Sequence, residues 1–213
     1  MRKPWKGLHP AAALAASLLS AAAWADGDDS ITYGVTPWVG YRFGGHLEDS
    51  ASGESVRLEA RTSFALALTA RTEPGREYEV FYSRQSTRFE GSRPGPIDAV
   101  VEYLHIGGTL DLTDATPPFR PYLAGGLGLT RLAPDGPPGR EDDRFSLSLA
   151  LGMRLPLTPH LLARLEGRGF VTFLDTGTSL FCRSDQGGAL CQLRAQGSTL
   201  VQGEVLAGVT LEF

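Results

Sequence analysis

Charged side chains alternate with apolar ones in several stretches of this 213-residue chain. In RLEGRGF, for example, Arg164, Glu166 and Arg168 stand two residues apart. Arginine and glutamate can be withdrawn from water when they pair with each other. We interpret them as a salt-bridge network that fills an interior; the alternative is that they line a narrow polar path. The set comprises Arg57, Glu59, Arg61, Glu79, Arg120, Arg154, Arg164, Glu166, Arg168, Glu204 and Glu212.

Cys182 and Cys191 are the only cysteines, and both lie in the polar stretch 174–198. In an exported chain, two nearby cysteines predict a disulfide. Closing a ring of this size stabilises a loop by about 2–3 kcal/mol. We expect no metal site, because the two thiols lack further Cys or His at ligand spacing.

Histidine and serine offer little for catalysis. His46 is followed by Glu48, Asp49, Ser50 and Ser52, the residue types of a nucleophile, a base and an orienting carboxylate. Loops are rich in Ser and Asp in any case, and no nucleophile elbow is present. His105 fits a hydrogen-bonded interior residue. We therefore predict no catalytic residue, no enzyme and no cofactor. An enzyme that acts on outer-leaflet lipid is the weaker of the alternative functions.

The amino terminus has the features of a secretory signal peptide. Arg2, Lys3 and Lys6 precede the apolar run 11–23, and Ala23-Trp24-Ala25 is a small-x-small cleavage site. We expect residues 1–25 to be removed, leaving one domain over 26–213. Loss of the three bases changes the net charge from −4 to about −7. Nucleic acid is not expected as a partner of so acidic a chain.

The remaining chain alternates with period two between Gly, Pro, Asp and Ser clusters, which predicts strands. Eight segments have this pattern: 31–43, 56–71, 77–89, 97–112, 119–132, 144–155, 161–173 and 199–213. Two places fit poorly. Pro37 lacks a donor inside the first segment, which predicts a bulge or a strand that starts after it. Residues 97–104 break the alternation near Glu102, which predicts a bulge or a later start.

The two faces of the strands indicate a membrane barrel. In residues 144–155, Phe145, Leu147, Leu149, Leu151, Met153 and Leu155 oppose Arg144, Ser146, Ser148, Ala150, Gly152 and Arg154. The same rule puts Val56 and Leu58 outside and Arg57 inside. An eight-stranded barrel has room inside only for side chains. An arginine facing hydrocarbon would cost about 2–4 kcal/mol near the midplane. We predict an all-β, antiparallel, eight-stranded up-and-down transmembrane β-barrel.

Connections and aromatic residues agree with this topology. Residues 72–76, 113–118 and 156–160 form short turns, whereas 44–55, 90–96, 133–143 and 174–198 are mostly longer. That pattern places both termini in the periplasm and the longer loops outside the cell. Aromatic girdles are expected from Tyr33, Tyr78, Phe119 and Phe213 at the periplasmic end, and from Phe43, Tyr82, Phe145 and Phe173 at the other.

Several stretches resemble a known family. TPWVGYRFGG (36–45), EYLHIGGTLDL (102–112), RPYLAGGLGLTR (120–131), RFSLSLALGMRLPL (144–157) and the terminal AGVTLEF resemble small proteobacterial outer-membrane β-barrel proteins, often labelled "porin family". General features are shared with eight-stranded barrels of the OmpA, OmpX and OmpW kind. The resemblance implies a fold and a place in the Gram-negative cell outer membrane, and it implies no settled activity.

The resemblance also implies partners. A terminal Phe213 after alternating apolar residues is similar to the signal that the barrel assembly machinery reads. Outer-membrane lipid and lipopolysaccharide are the other expected partners. The acidic run 141–143, with Asp135 and Arg140, has suitable residue types for lipopolysaccharide, although a solvated loop is the simpler interpretation. We expect a monomer of structural or surface-interaction type, with a narrow channel as the alternative.

Overall fold

The two-residue alternation produces an all-β protein. The computed structural model describes residues 31–48, 55–90, 96–112, 119–134, 142–174, 179–185, 188–194 and 199–213. The expected signal peptide, residues 1–25, lies outside these ranges. Side chains of residues 175–198 are also outside the description. Within the described ranges, no helix has the length and apolar character needed to cross a bilayer.

Eight long strands form the wall of a closed barrel. They are β1 (Thr32–Gly44), β4 (Arg61–Glu73), β5 (Arg76–Glu90), β6 (Ile97–Asp111), β7 (Arg120–Pro134), β8 (Asp142–Thr158), β9 (Leu161–Phe173) and β12 (Thr199–Glu212). Each pairs antiparallel with its neighbours, and β1 pairs with β12 to close the sheet. Closure removes both sheet edges. The predicted antiparallel eight-stranded barrel is therefore confirmed.

Four short strands extend this wall or project from it. The hairpin of β2 (His46–Glu48) and β3 (Ser55–Leu58) adds to the wall beside β5. The second hairpin, β10 (Ser179–Asp185) and β11 (Gly188–Arg194), forms a separate two-stranded sheet. We call the end of the barrel that carries both hairpins the loop end, and the end that carries Ile31 and Phe213 the termini end.

The register fixes the tilt of the strands. One row of paired residues starts at Phe43 on β1 and passes around the barrel through Gly203, Gly169, Leu149, Gly125, Gly108, Tyr78 and Ala70. It returns to β1 at Tyr33, ten residues from its start. A stagger of this size over eight strands corresponds to a strand tilt of about 40°. Each row therefore climbs from the termini end towards the loop end.

The outward face is a continuous apolar belt. Large exposed side chains from all eight wall strands form it, among them Val39, Phe64, Leu66, Leu104, Ile106, Leu127, Leu149, Leu151, Leu165, Val201 and Val205. Aromatic residues lie at both of its borders. Tyr33 stacks on Phe213 at the termini end, and Phe145 stacks on Phe173 towards the loop end. A belt bordered by aromatic rings is the surface of a barrel that spans a bilayer.

Both predicted irregularities are wrong. Pro37 lies inside β1, and no register shift occurs on either side of it. The ladder to β12 merely lacks bridges at residues 36 and 37, where the Thr36 and Thr210 hydroxyls bond at 2.7 Å. Strand β6 likewise pairs regularly with β5 from Ile97 onwards. Glu102 faces outward there, because it alternates with the buried Val101 and Tyr103, and it accepts hydrogen bonds from Arg84 and Tyr82.

A strand break overturns the predicted faces of residues 56–58. Residues 59 and 60 separate β3 from β4, and the alternation changes phase across them. Val56 and Leu58 therefore point inward and are buried, whereas Arg57 is exposed. Arg57 does not belong to the interior charge network, and its assignment from the sequence is corrected.

Two connections at the termini end are tight. Residues 74 and 75 join β4 to β5, and residues 159 and 160 join β8 to β9. In the first, Pro74 precedes Gly75, whose φ is 78°. Proline followed by a glycine at positive φ is the signature of a type II turn. The turn positions Glu73 and Arg76, which form an ion pair across it at 3.5 Å.

Candidate functional site: the charged barrel interior

The interior contains ion pairs at three levels. Nearest the termini end, Arg154 bonds to Glu77 at 2.8 Å and to Asp111 at 2.5 Å. Arg71 bonds to the other oxygen of Glu77 at 2.5 Å and to Glu212 at 2.6 Å. The Thr109 hydroxyl lies between Arg154 and Glu77 and bonds to both. Five charged groups from five strands are therefore joined at this level.

The middle level joins two buried arginines to two buried carboxylates. Arg168 donates to Glu79 at 2.6 Å and to Glu166 at 2.7 Å. The Tyr122 hydroxyl donates to the second oxygen of Glu166 at 2.6 Å. Arg164 lies 3.8 Å from each of these two carboxylates, outside hydrogen-bond distance, and donates instead to the Tyr122 oxygen at 3.2 Å. Arg168 is consequently held more tightly than Arg164.

The third level contains one ion pair. Arg42 lies 3.3 Å from Glu204, and the Ser83 hydroxyl donates to the same carboxylate at 3.0 Å. Arg42 also donates to the carbonyl of Val101 at 3.3 Å. Both members of the pair are fully buried. A buried pair is tolerated only when further hydrogen bonds satisfy its remaining polar atoms, and these contacts supply several of them.

Each buried arginine also rests on an aromatic ring. The guanidinium carbon of Arg168 lies 3.8 Å from the centre of the Phe81 ring. The guanidinium carbons of Arg154 and Arg164 lie 4.4 and 4.7 Å from the centre of the Tyr122 ring. That of Arg42 lies 4.7 Å from the centre of the Tyr103 ring. Such contacts contribute about 2 kcal/mol when desolvated. A planar guanidinium can stack and form forked hydrogen bonds at once, which a lysine ammonium cannot do.

His105 joins the polar contacts to an aromatic layer. Its two ring nitrogens bond to the hydroxyls of Ser148 and Ser146 at 2.7 and 2.8 Å. Its ring meets Tyr103 and Phe170 edge-on, and these two rings stack with centroids 4.0 Å apart. With both nitrogens bonded and the ring buried, His105 is an interior packing residue, as the sequence indicated.

An apolar layer closes the interior near the loop end. We call it the loop-end cap, and it consists of Val56, Leu58, Phe89, Val101, Leu132 and Leu200. All six side chains are buried. The interior is therefore not polar along its whole length, because ion pairs fill the part nearer the termini and hydrocarbon fills the other. Ion pairs and buried apolar side chains inside the wall are what an eight-stranded barrel can hold.

The structure places the sequence-predicted charges in four groups. Glu79, Arg154, Arg164, Glu166, Arg168 and Glu204 are buried inside. Glu212 and Arg120 are half-buried at the termini end, where Arg120 borders a cavity of about 380 Å³ with Arg71 and Asp111. Glu59 and Arg61 bond to each other at 2.6 Å near the loop end, with more than a third of each side chain exposed. Arg57 is exposed outside the network.

Four charged residues of the network were missed. Arg42, Arg71, Glu77 and Asp111 all contact predicted members. The signal for Glu77 and Arg71 was present, because each stands in phase with an inward residue of its own strand. Arg42 stands in phase with Thr36 and Trp38, which are also buried, so the alternation of its strand indicates its inward direction as well. Asp111 ends its strand, where phase carries less information.

The two cysteines lie in the second hairpin, at the loop end. The backbones of Cys182 and Cys191 face each other directly in the β10–β11 ladder. Directly opposed residues have Cα separations of about 4.5–5.5 Å, within the range of a disulfide. Their side chains lie outside the described residues, so the disulfide stays a prediction.

His46 is exposed opposite Arg57, and Ser50 and Ser52 are outside the described ranges.

Ion pairs also cross the outward face near the loop end. Arg84, Glu102, Arg131 and Asp143 occupy one register row over β5 to β8, with alternating charge. Arg84 bonds to Glu102 at 2.9 Å, and Arg131 bonds to Asp143 at 2.8 Å. Charges on the outer wall are costly in hydrocarbon, so this row marks the limit of the apolar belt.

Comparisons with known proteins agree on the architecture. No family model and no curated protein matches the chain. Among solved structures, neisserial surface protein A (NspA) superimposes with a TM-score of 0.58 at 17% identity, over 85% of this chain and 97% of that one. OprG, an outer membrane protein of Pseudomonas aeruginosa, superimposes with a TM-score of 0.55 at 12% sequence identity, over 88% of this chain and 98% of that one. A major outer membrane protein from Thermus thermophilus superimposes with a TM-score of 0.50 at 11% sequence identity, over 86% of this chain and 100% of that one.

These values define the class of the fold. The chain has the architecture of small outer-membrane β-barrel proteins, a closed barrel of eight antiparallel strands. The resemblance stated from the sequence is thereby confirmed for the fold. Identities of 11–17% in these three pairs carry no information about activity.

Proposed function

We propose that this chain is an integral protein of the Gram-negative outer membrane, of structural or surface-interaction type. One observation carries the proposal: a continuous apolar belt surrounds an interior filled by paired charges and the loop-end cap. The belt suits a bilayer, and the filled interior suits a rigid support better than a conduit. The resemblance to outer-membrane barrel structures is consistent with this location.

The orientation belongs to the same proposal. The tight connections at residues 74–75 and 159–160 lie at the termini end, and the hairpin extensions lie at the other. By the general pattern of such barrels, the termini face the periplasm and the hairpins reach outside. Surface interactions would then involve the loop end. The proposal includes no catalytic step.

Planar-bilayer recording and fractionation test this function. The folded protein should migrate differently before and after heating on a gel, and it should fractionate with outer membranes. Reconstituted in a planar bilayer, it should show no steady conductance, because buried residues fill the bore. Reproducible channels would favour the transport alternative, and a soluble periplasmic protein that is not heat-modifiable would overturn the proposal.

A further inference from the structure

The outward face of the wall carries a groove near the termini end. Its floor is formed by Gly108 and Gly125, which pair with each other across β6 and β7. Leu110 and Leu123 lie next to this floor on the side of the termini end. Tyr78 and Leu149 flank it on the neighbouring strands. The groove measures about 580 Å³, within the range of small-molecule sites.

The floor is open because two adjacent strands lack side chains at one level. Next to the floor on the side of the loop end, Ile106 and Leu127 project from the same two strands and are well exposed. A Cβ atom at Gly125 would meet nothing closer than the Ser148 carbonyl at 3.8 Å. The belt is thus indented at this position. Because the register row climbs from Tyr78 to Leu149, the groove runs obliquely from the termini end towards the middle of the belt.

The lower end of the groove is polar and carries both signs of charge. Thr72, Glu73 and Arg76 line it beside the Pro74–Gly75 turn. Glu73 and Arg76 lie 3.5 Å apart, with 66% and 70% of their side chains exposed. An exposed pair of this kind contributes little to folding, so its charges remain accessible to a ligand. One anion and one cation lie side by side at the level of the aromatic residue Tyr78.

We propose that this groove binds one phospholipid with a zwitterionic phosphoethanolamine headgroup. Its phosphate pairs with Arg76, its ammonium pairs with Glu73, and one acyl chain lies over Gly108 and Gly125 between Tyr78 and Leu149. The charge pattern selects this headgroup, because an anionic lipid would leave Glu73 facing like charge. The inference rests on the proposed function, since it requires the termini end to lie in the phospholipid leaflet.

Two glycines provide a matched pair of variants. Gly125→Leu places a side chain in the groove, and its Cβ atom would meet no atom closer than 3.8 Å. Gly167→Leu adds the same side chain to the outward face of β9, where a Cβ would meet no atom within 4 Å and which does not line this groove. Both changes add one apolar side chain to the belt. Only the first should affect lipid retention.

The test is native mass spectrometry of the full chain released from nanodiscs that contain equal amounts of phosphatidylethanolamine and phosphatidylglycerol. The wild-type chain and Gly167→Leu should retain one phosphatidylethanolamine. Gly125→Leu should retain about tenfold less, as expected for a loss of roughly 1.4 kcal/mol of binding free energy. Equal retention by the two variants would overturn the site.

A charge variant tests the headgroup independently of the glycines. Glu73→Arg places two cations at the exposed turn and should reverse the preference towards phosphatidylglycerol. An unchanged preference, or equal retention of both lipids by the wild-type chain, would reduce the groove to ordinary annular contact and overturn the proposal. A chain that inserts and is heat-modifiable but retains no lipid refutes the site alone. A chain that fails to insert refutes the proposed function as well.

Discussion

At the residue scale, the interior depends on a few carboxylates that each serve several donors. Glu166 accepts from Arg168 and Tyr122 and lies near Arg164. Its replacement by alanine leaves two buried cations with one remaining carboxylate, Glu79. We expect Glu166→Ala to lower the free energy of unfolding by about 3–5 kcal/mol. Urea unfolding of the barrel in lipid vesicles, followed by heat-modifiable mobility, measures the change.

The exposed pair Arg131–Asp143 provides the control for this measurement. Its members bond at 2.8 Å, but nearly half of each side chain is exposed. Asp143→Ala should therefore change stability by no more than about 1 kcal/mol. Equal effects of the two substitutions would show that burial does not determine the strength of the network.

Glycines in the wall give a second contrast between single residues. A Cβ at Gly128 would overlap the carbonyl oxygen of Leu104 on the neighbouring strand, whereas one at Gly125 would make only ordinary van der Waals contacts, at 3.8 Å or more. Gly128→Ala should destabilise the barrel by about 3 kcal/mol or more, because the β6–β7 ladder must shift. Gly125→Ala should have almost no effect. The same urea experiment compares them, and equal stability would mean that the wall adjusts without cost.

At the element scale, period-two alternation was enough to find all eight wall strands and their partners. The alternation also indicated an apolar belt opposite Arg164, Glu166 and Arg168. The phase after a break could not be predicted, since residues 59 and 60 look like strand residues and yet reverse the faces of Val56 and Leu58. This reversal hid the part that Val56 and Leu58 take in the loop-end cap, and the apolar side chains of the cap resemble those that face lipid.

Long-range pairing explains the remaining differences. Asp111 joins Arg154, and Arg71 joins Glu212, through contacts set by the stagger of the barrel. The stagger of ten residues follows from the whole set of registers, and no single strand contains it. Pro37 has no amide hydrogen to donate, but the ladder between β1 and β12 lacks two bridges there and keeps its register.

The β10–β11 hairpin leads to a prediction of its own. Opposed backbones at Cys182 and Cys191 favour a disulfide that ties this hairpin. The purified chain should carry no thiol that reacts with a maleimide until it is reduced, and Cys182→Ser should expose one. Reduction should leave the unfolding of the barrel unchanged, because the hairpin forms its own sheet. Two reactive thiols in the oxidised protein would contradict the disulfide.

At the scale of the whole molecule, the carboxyl-terminal residue takes part in closing the barrel. Phe213 exchanges two backbone hydrogen bonds of 2.9 Å with Tyr33 and stacks on its ring. Its side chain is half exposed on the belt, so it contributes little to the interior. These contacts give Phe213 a modest structural role, and a role in assembly stays a prediction that the resemblance implies.

Deletion of Phe213 separates these two roles. As an assembly signal, Phe213 should be needed in cells but not in purified components. The deletion should lower the amount of heat-modifiable barrel in outer membranes at unchanged transcript, yet the purified variant should refold into vesicles with a stability within about 1–2 kcal/mol of the wild-type chain. Phe213→Ala tests whether the aromatic ring alone is required. A variant that refolds as poorly as it assembles would assign Phe213 to closure of the barrel instead.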